Sequence, residues 1–183
     1  LYRFLLRGDC DYILLEEMRD ASAFKTALDI TSAGTARSKA TIHSGDPQDI
    51  PFKMAASVVG RYGGSFKGII SQVFRNFNYV MEFCQVPESK DMKRLMSISE
   101  YRYDVSCDRV SIHYICKFDV ENGRWLWKYD IGKDKEKMGK LYPEEFKRMN
   151  SMLKMLEERN PLMENTVIYP RYYRPEEGES DVR

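Results

Sequence analysis

The most informative segment of this chain reads Val58-Val59-Gly60-Arg61-Tyr62-Gly63-Gly64-Ser65-Phe66-Lys67-Gly68-Ile69. Before the glycines lies an apolar, alanine-rich stretch, 51–59, whose proline suits the first turn of a helix. After them, apolar residues recur with the period of an amphipathic helix, at Phe66, Ile69, Ile70, Val73, Phe74 and Phe77. The pattern predicts two helices joined by a glycine turn, with the first helix interrupted at Gly60.

The predicted turn has the chemistry of a phosphate-binding loop. Glycine has no Cβ and takes positive φ, so the backbone of a ligand can approach closely. The second helix directs N–H groups and the positive end of its dipole at the turn, and Arg61 and Lys67 add positive charge. A tight turn with a solvated arginine and lysine explains the same residues equally well. A nucleotide-hydrolase P-loop is excluded, because Ile69 and Ile70 follow Gly68 where Lys and Ser or Thr are required.

The wider segment, residues 48–83, resembles the core signature of KH domains without a gap. In that family a Val/Ile-Pro pair opens the first helix, two aliphatic residues precede a Gly-x-x-Gly loop that contains a basic residue, and an apolar-Lys-x-Ile run begins the second helix. The corresponding residues here are Ile50-Pro51, Val58-Val59, Gly60-Arg61-Tyr62-Gly63 and Phe66-Lys67-Gly68-Ile69.

The resemblance implies a role for each matching residue. The loop of a KH domain clamps about four backbone nucleotides of a single strand, while the bases lie in an adjacent apolar groove. By this likeness the residues that face the sugar-phosphate backbone are Gly60, Arg61, Tyr62 and Gly63, and Lys67 contacts a phosphate. The groove would be lined by Val58, Val59, Phe66 and one residue of a predicted strand, 79–83. Tyr62 departs from the family, which usually has a small or basic residue there.

The remaining elements follow from periodicity and turn signals. Residues 87–108 are charged and irregular and are interpreted as a long loop, while Asn122-Gly123 is a strong hairpin signal. Helices are predicted at 12–29 and 143–159, a linker at 31–38, and strands at 2–6, 39–44, 110–118 and 124–131. The order predicts an α+β fold: a KH-like antiparallel sheet of three or more strands, packed by helices on one face, with an added β-hairpin.

Three segments are expected along the chain. Residues 1–37 form a strand–helix accessory element with a linker, or the end of a preceding KH-like module, as in the tandem KH domains of Bicaudal-C-like proteins. Residues 38–160 form the KH-like domain with its hairpin extension. Residues 161–183 form an extended tail, because they are rich in Pro, Glu and Arg.

Composition excludes several classes of function. The net charge of +1 over 183 residues argues against a polybasic coat for nucleic acid or membranes, and no apolar run is long enough for a membrane span. Reduced, buried thiols are expected rather than a metal site, because no Cys-x-x-Cys pair links Cys10, Cys84, Cys107 and Cys116. The chain has two histidines and no motif for the strained turn that carries a catalytic nucleophile, so the sequence does not predict a Ser-His-Asp or Cys-His site. The alternation of its strand predicts that His113 lies at the surface.

The sequence therefore predicts a single-stranded RNA-binding module in post-transcriptional regulation of mRNA, with no enzymatic activity, cofactor, metal, membrane or small-molecule substrate. Its expected location is the cytoplasm or the nucleus, and its partners are RNA and other subunits of a ribonucleoprotein complex. The alternative is a KH-like scaffold that binds proteins and not RNA. An unrelated structural or viral assembly domain with an accidental glycine turn also stays open.

Overall fold

The chain has an α+β fold with four α-helices and one antiparallel sheet among the residues that this computed structural model describes, namely 13–33, 38–86, 89–104, 109–132 and 139–168. It divides into two compact units between Asn78 and Tyr79. The α+β prediction is confirmed. The KH-like arrangement, the added hairpin and the predicted domain boundaries at 37/38 and 160/161 stay predictions.

The first unit is mainly helical. Its elements are strand β1 (Leu14–Leu15), helix α1 (Ala21–Ser32), strand β2 (Lys39–Ala40), a short 3-10 helix (Pro47–Asp49), helix α2 (Ile50–Tyr62) and helix α3 (Phe66–Asn76). β1 and β2 pair in parallel. The three helices meet in a core that buries Met18, Phe24, Ala27, Leu28, Met54, Val58 and Val73. Burial of such large apolar side chains is the main stabilising contribution to a unit of this kind.

The second unit is built on the sheet. Its elements are β3 (Tyr79–Val86), β4 (Ser89–Asp104), β5 (Arg109–Asp119), β6 (Arg124–Trp127), helix α4 (Pro143–Arg159) and β7 (Thr166–Ile168). The strands are antiparallel in the order β3-β4-β5-β6, and β7 also pairs with β5. Along β5 the side chains alternate as period-2 patterning requires, with Val110, Ile112, Tyr114 and Cys116 buried.

Three predicted elements differ from the structure in the first unit. The predicted helix 12–29 is wrong at its start, because Leu14–Leu15 pairs with Lys39–Ala40 and the helix begins only after its N-cap, Asp20. Asp20 accepts a hydrogen bond of 2.9 Å from the N–H of Ala23. The helix then extends to Ser32, so the predicted linker starts too early, and only two residues of the predicted strand 39–44 are in a strand.

The predicted interruption at Gly60 is also wrong, since α2 continues through Gly60 to Tyr62. A glycine inside a helix costs only about 1 kcal/mol relative to alanine. The buried residues Met54, Ala55 and Val58 hold the preceding turns of α2 in place. The helix ends where the backbone changes conformation, at Gly63 with φ 71°.

The long loop predicted at 87–108 is wrong as well, because Ser89–Asp104 is a 16-residue strand in the middle of the sheet. Irregular pairing obscures its period: the β3–β4 register shifts twice, and the β4–β5 register shifts between Ile98 and Ser99. β6 ends at Trp127, four residues before the end of the predicted strand 124–131. The strand predicted at 2–6 and most of the tail lie outside the described residues, although Thr166–Ile168 at its start forms β7.

Candidate functional site

The connection between α2 and α3 is a short, open turn, Gly63-Gly64-Ser65. Gly63 and Gly64 have φ of 71° and 102°, a region that favours glycine, and a Cβ added to either would meet nothing within 4 Å. Their backbone is therefore accessible from outside. Ser65 caps α3 by accepting a hydrogen bond of 3.3 Å from the N–H of Gly68, so that N–H is already used and is not a donor for a ligand.

The side chains around the turn are exposed and cationic or aromatic. Arg61 and Lys67 are exposed on either side of it, and Tyr62 is 48% exposed. The guanidinium of Arg61 lies 5.6 Å from the centroid of the Tyr62 ring, within the range of a cation–π contact. The structure therefore brings together the predicted residues that would contact a sugar-phosphate backbone.

An aromatic pair adjoins the turn. The rings of Phe52 and Phe66 contact each other with centroids 5.2 Å apart, and Phe52 is 38% exposed. Phe66 was predicted to line an apolar groove, whereas Phe52, at the start of α2, was not predicted to belong to the site. The helix period places Phe52 about 100° from the buried Pro51, so it lies at the side of the stripe that faces the core.

The other predicted groove residues have different environments. Val58 is 1% exposed and belongs to the core of the first unit, so its side chain does not face a ligand in this structure. Val59 is half-buried. The contribution expected from strand 79–83 stays a prediction, since those residues begin the second unit.

The stretch of sequence that contains the turn carries charges of one sign only. Residues 50–81 contain no aspartate or glutamate, and their four basic residues are Lys53, Arg61, Lys67 and Arg75. This segment carries a charge of +4 in a chain of net charge +1, so the rest of the chain carries −3. Of these four residues only Arg61 and Lys67 lie beside the turn, because Lys53 and Arg75 are each ten residues, or about 15 Å along a helix, away from it. The whole-chain value therefore conceals two cations of the same sign beside the turn, which a phosphate-bearing ligand would encounter.

The chain matches no protein-family model and no curated protein sequence. Its possible roles are therefore inferred from its own residues. Within the described part of the chain, no helix is long and apolar enough to cross a membrane, and no cluster of three or more His, Cys, Asp or Glu side chains is placed to hold a metal ion.

A second polar site lies on one face of the sheet and was not anticipated. Its centre is Glu100, which is 5% exposed and accepts hydrogen bonds from the Tyr79 hydroxyl at 3.1 Å, Arg102 Nε at 2.9 Å and the N–H of Gly132 at 3.2 Å. Arg102 also forms an ion pair of 2.7 Å with Asp130. Burial of Tyr79, with the charge of Glu100 beside it, raises the pKa of that phenol, so it stays protonated as a donor.

His113 belongs to the same network and is not the surface residue that its alternation predicted, since its side chain is 15% exposed. Nδ1 lies 2.7 Å from Asp130 Oδ2, and Nε2 lies 2.9 Å from Ser111 Oγ. This is the order of hydrogen bonds in a Ser-His-Asp triad. Ser111, however, lies within a strand and pairs with Arg102 on one side and Ile168 on the other, whereas a hydrolase serine lies at a sharp, exposed turn. We interpret the network as structural.

Asp130 connects this network to Asn165, which directly precedes β7. Burial alone would raise its pKa, but hydrogen bonds from His113, Arg102 and Asn165 outweigh burial and hold the pKa below that of an ordinary aspartate. A carboxyl with a lowered pKa contributes stability above its unfolded pKa of about 3.9 and loses that contribution as the pH falls through its folded pKa.

We therefore expect the wild type to lose more stability than the Asp130→Asn variant as the pH falls from about 5 to about 2, by on the order of 1 kcal/mol. The measurement is the melting temperature of both proteins across this range. Asparagine is close in shape to aspartate but has no carboxyl to protonate, so the other acidic residues contribute equally to both curves. Parallel curves would show that Asp130 contributes no pH-dependent stability.

Two of the four cysteines lie in the described residues. Cys116 is buried, as predicted, and burial raises the pKa of its thiol. Cys84 is exposed on β3, so the prediction of burial is wrong for this residue. The other two, Cys10 and Cys107, lie outside the described residues.

Proposed function

We propose that the α2–α3 turn binds the sugar-phosphate backbone of single-stranded RNA, and that the chain is a KH-like, non-enzymatic module in the regulation of mRNA. One observation carries the proposal: an open glycine turn lies in a 32-residue segment, 50–81, with four basic side chains and no acidic one. The cytoplasm or nucleus and a ribonucleoprotein complex are the setting that this function implies.

Phosphate binding explains the exposed glycines and the cations together. At Gly63 and Gly64 no side chain separates the backbone from a ligand, so a phosphodiester can approach at van der Waals distance. Arg61 lies at the end of α2 and Lys67 in the first turn of α3, so they flank the same short connection. Guanidinium and ammonium groups are the usual partners of phosphate oxygens.

A single strand is favoured over a duplex because the exposed rings adjoin the turn. Tyr62 and the Phe52–Phe66 pair offer flat apolar surfaces beside the cations. Bases of a single strand are unstacked and can pack on aromatic side chains, with about 1–3 kcal/mol per base, whereas the bases of a duplex are already stacked on each other.

The proposal is tested by titrating the full chain into pools of short, fluorescently labelled single-stranded RNA at several salt concentrations. We expect saturable binding, and we expect the logarithm of the association constant to fall linearly with the logarithm of the salt concentration. The slope should be no steeper than about −3, because each neutralised phosphate of a single strand contributes about 0.7 and the segment has four basic residues. Duplex RNA of the same length is the control and should bind more weakly.

If no pool binds at low salt, the RNA proposal is wrong. The scaffold alternative then gives the better explanation of the same exposed turn, because an aromatic and cationic surface also suits an acidic peptide. A slope near zero with tight binding would equally contradict a phosphate-based interface.

A further inference from the structure

Helix α4 exposes three methionines along one side. Met149, Met152 and Met155 are 37%, 51% and 43% exposed, and they recur every three residues. Because an α-helix turns about 100° per residue, the three span an arc of about 120° centred on Met152. The half-buried Leu156 falls inside the same arc. We call these four residues the methionine stripe.

The methionine stripe is not the side of α4 that packs on its own unit. On that side Leu153 is buried, and Glu157 accepts hydrogen bonds from Lys128 Nζ at 2.6 Å and from the N–H of Tyr129 at 3.0 Å. The helix period places Leu153 and Glu157 about 100° and about 140° from Met152. Single exposed apolar residues are common, but a contiguous apolar row is typical of an interaction surface, and methionine is enriched at such surfaces.

The stripe is flanked by opposite charges at the spacing of a two-helix interface. Glu145 lies seven residues before Met152, and Arg159 lies seven residues after it. All three point within about 20° of the same direction, because seven residues make nearly two turns. A seven-residue repeat keeps side chains on one seam when two helices pack together. The stripe therefore has a negative end, an apolar centre and a positive end.

An antiparallel second copy of the chain matches this pattern. When Met152 of each copy lies near a two-fold axis, residues equally far before and after it lie opposite each other. Glu145 then faces the partner's Arg159, and Met149 faces the partner's Met155, and each contact occurs twice. A parallel pair would instead place Glu145 against the partner's Glu145, which is unfavourable because like charges repel.

Within the described part of the chain, the two charges at the ends of the stripe have no ion-pair partner. Glu145 and Arg159 are both exposed, and they lie about 21 Å apart along the helix axis, too far to pair with each other. Arg148, at the edge of the stripe, follows Glu144 and Glu145 by four and three residues, so its charge is offset on its own helix. The signs of Glu145 and Arg159 also suit the helix dipole, but the dipole does not account for the apolar row between them.

We propose that α4 is a self-association surface, through which two copies of the chain pair with their helices antiparallel and Met152 near the two-fold axis. The helix has 17 residues, so its face is about 25 Å long and about 10 Å wide. This is smaller than the roughly 800 Å² per partner of a standard interface, so the dimer is weak and reversible. The surface shares no residue with the α2–α3 turn, and the proposal does not depend on RNA binding.

The test is sedimentation equilibrium of the full chain at concentrations up to about 1 mM, the range in which an interface of this size is populated. We expect the mass to rise from that of one chain to that of two. Met152→Glu should weaken the dimer at least about tenfold, because it places two carboxylates beside the axis in a contact that was apolar. Met152 is exposed, so the melting temperature of the dilute protein should stay similar.

Met92→Glu is the matched control. It makes the same substitution at a methionine that is 62% exposed on β4, so the change in net charge is identical. We expect its dimerisation to remain within about threefold of the wild type, because the position lies outside the proposed contact.

A charge exchange tests the antiparallel arrangement. Glu145→Arg and Arg159→Glu should each weaken the dimer by about tenfold, because each single variant turns two attractive contacts into repulsive ones. The double variant should return to within about threefold of the wild type, because opposite charges again face each other across the axis. A parallel pair, in which each residue faces its own copy, would not show this recovery.

Three results would overturn the proposal. The first is a wild type that stays monomeric at about 1 mM, which would leave the stripe to a helix of another protein. The second is an equal effect of Met152→Glu and Met92→Glu, which would show that the dimer forms elsewhere or responds only to net charge. The third is a double charge variant that dimerises no better than the two single variants.

Discussion

Replacing Glu100 with alanine is expected to lower the free energy of unfolding of the second unit by about 3 kcal/mol, the cost of removing one partner from a buried ion pair. Glu100 accepts three hydrogen bonds and pairs with Arg102, whose side chain is itself only 27% exposed. The variant leaves Arg102 with only Asp130 and leaves the Tyr79 hydroxyl and the Gly132 N–H without this acceptor. These two donors are half-buried, so the loss of their acceptor adds to the destabilisation by less than it would for fully buried groups.

Urea unfolding followed by tryptophan fluorescence measures this effect. Both tryptophans of the chain, Trp125 and Trp127, are in β6, so their emission reports on the unit that contains Glu100. Glu100→Gln is the informative comparison, because it preserves the shape and an acceptor and should lose less stability. Glu121→Ala, at an exposed turn position, should change little. An equal effect of Glu100→Ala and Glu121→Ala would contradict the structural role of the network.

The second large effect is on RNA binding. Changing both Arg61 and Tyr62 to aspartate should weaken binding by about a hundredfold or more, because acidic groups repel the phosphates and the exposed ring is lost. Both side chains are exposed, so the fold should survive. Carboxylates near the C-terminus of α2 are unfavourable to its dipole, which predicts a destabilisation of only about 0.3–1 kcal/mol.

A matched control separates the site from bulk charge. Met92→Asp with Lys93→Asp makes the same change in net charge at two exposed positions of β4. It should leave RNA affinity nearly unchanged, and it should also leave the salt slope unchanged. If the two double variants weaken binding equally, RNA senses only the net charge of the chain, and the assignment of the turn as the binding site is wrong. A turn variant that fails to fold would show instead that the turn has a structural role.

Some parts of this fold were predictable from sequence because their signals are local. The helix at Phe66–Asn76 and the strand at Arg109–Asp119 have a clear period in their apolar residues, and both occur close to the predicted bounds. Strand β4 was missed because its register shifts interrupt the alternation, and its many charged residues are typical of loops. A local pattern cannot show that a partner strand lies on each side.

The polar network was missed for a different reason. Asp130 joins residues that are 17 and 35 positions away, His113 and Asn165, and no periodic signal connects such distant positions. The turn was predicted from its glycines, but it starts three residues later than predicted, at Gly63, and ends two residues later, at Ser65. The intrinsic preference of Gly60 is weak compared with the packing of α2. The residue types of the site were therefore predictable, whereas tertiary packing decided which of them face outward.

The uneven distribution of charge also affects how other molecules encounter this protein. At physiological salt, electrostatic interactions decay over about 8 Å, so a polymer near the turn responds to the cations beside it and hardly at all to acids farther away. The net charge of the whole chain determines how the protein migrates in an electric field, but it does not determine how the protein adsorbs to a charged surface. Arg61 and Lys67 should therefore attract polyanions to the turn, although the molecule is nearly neutral.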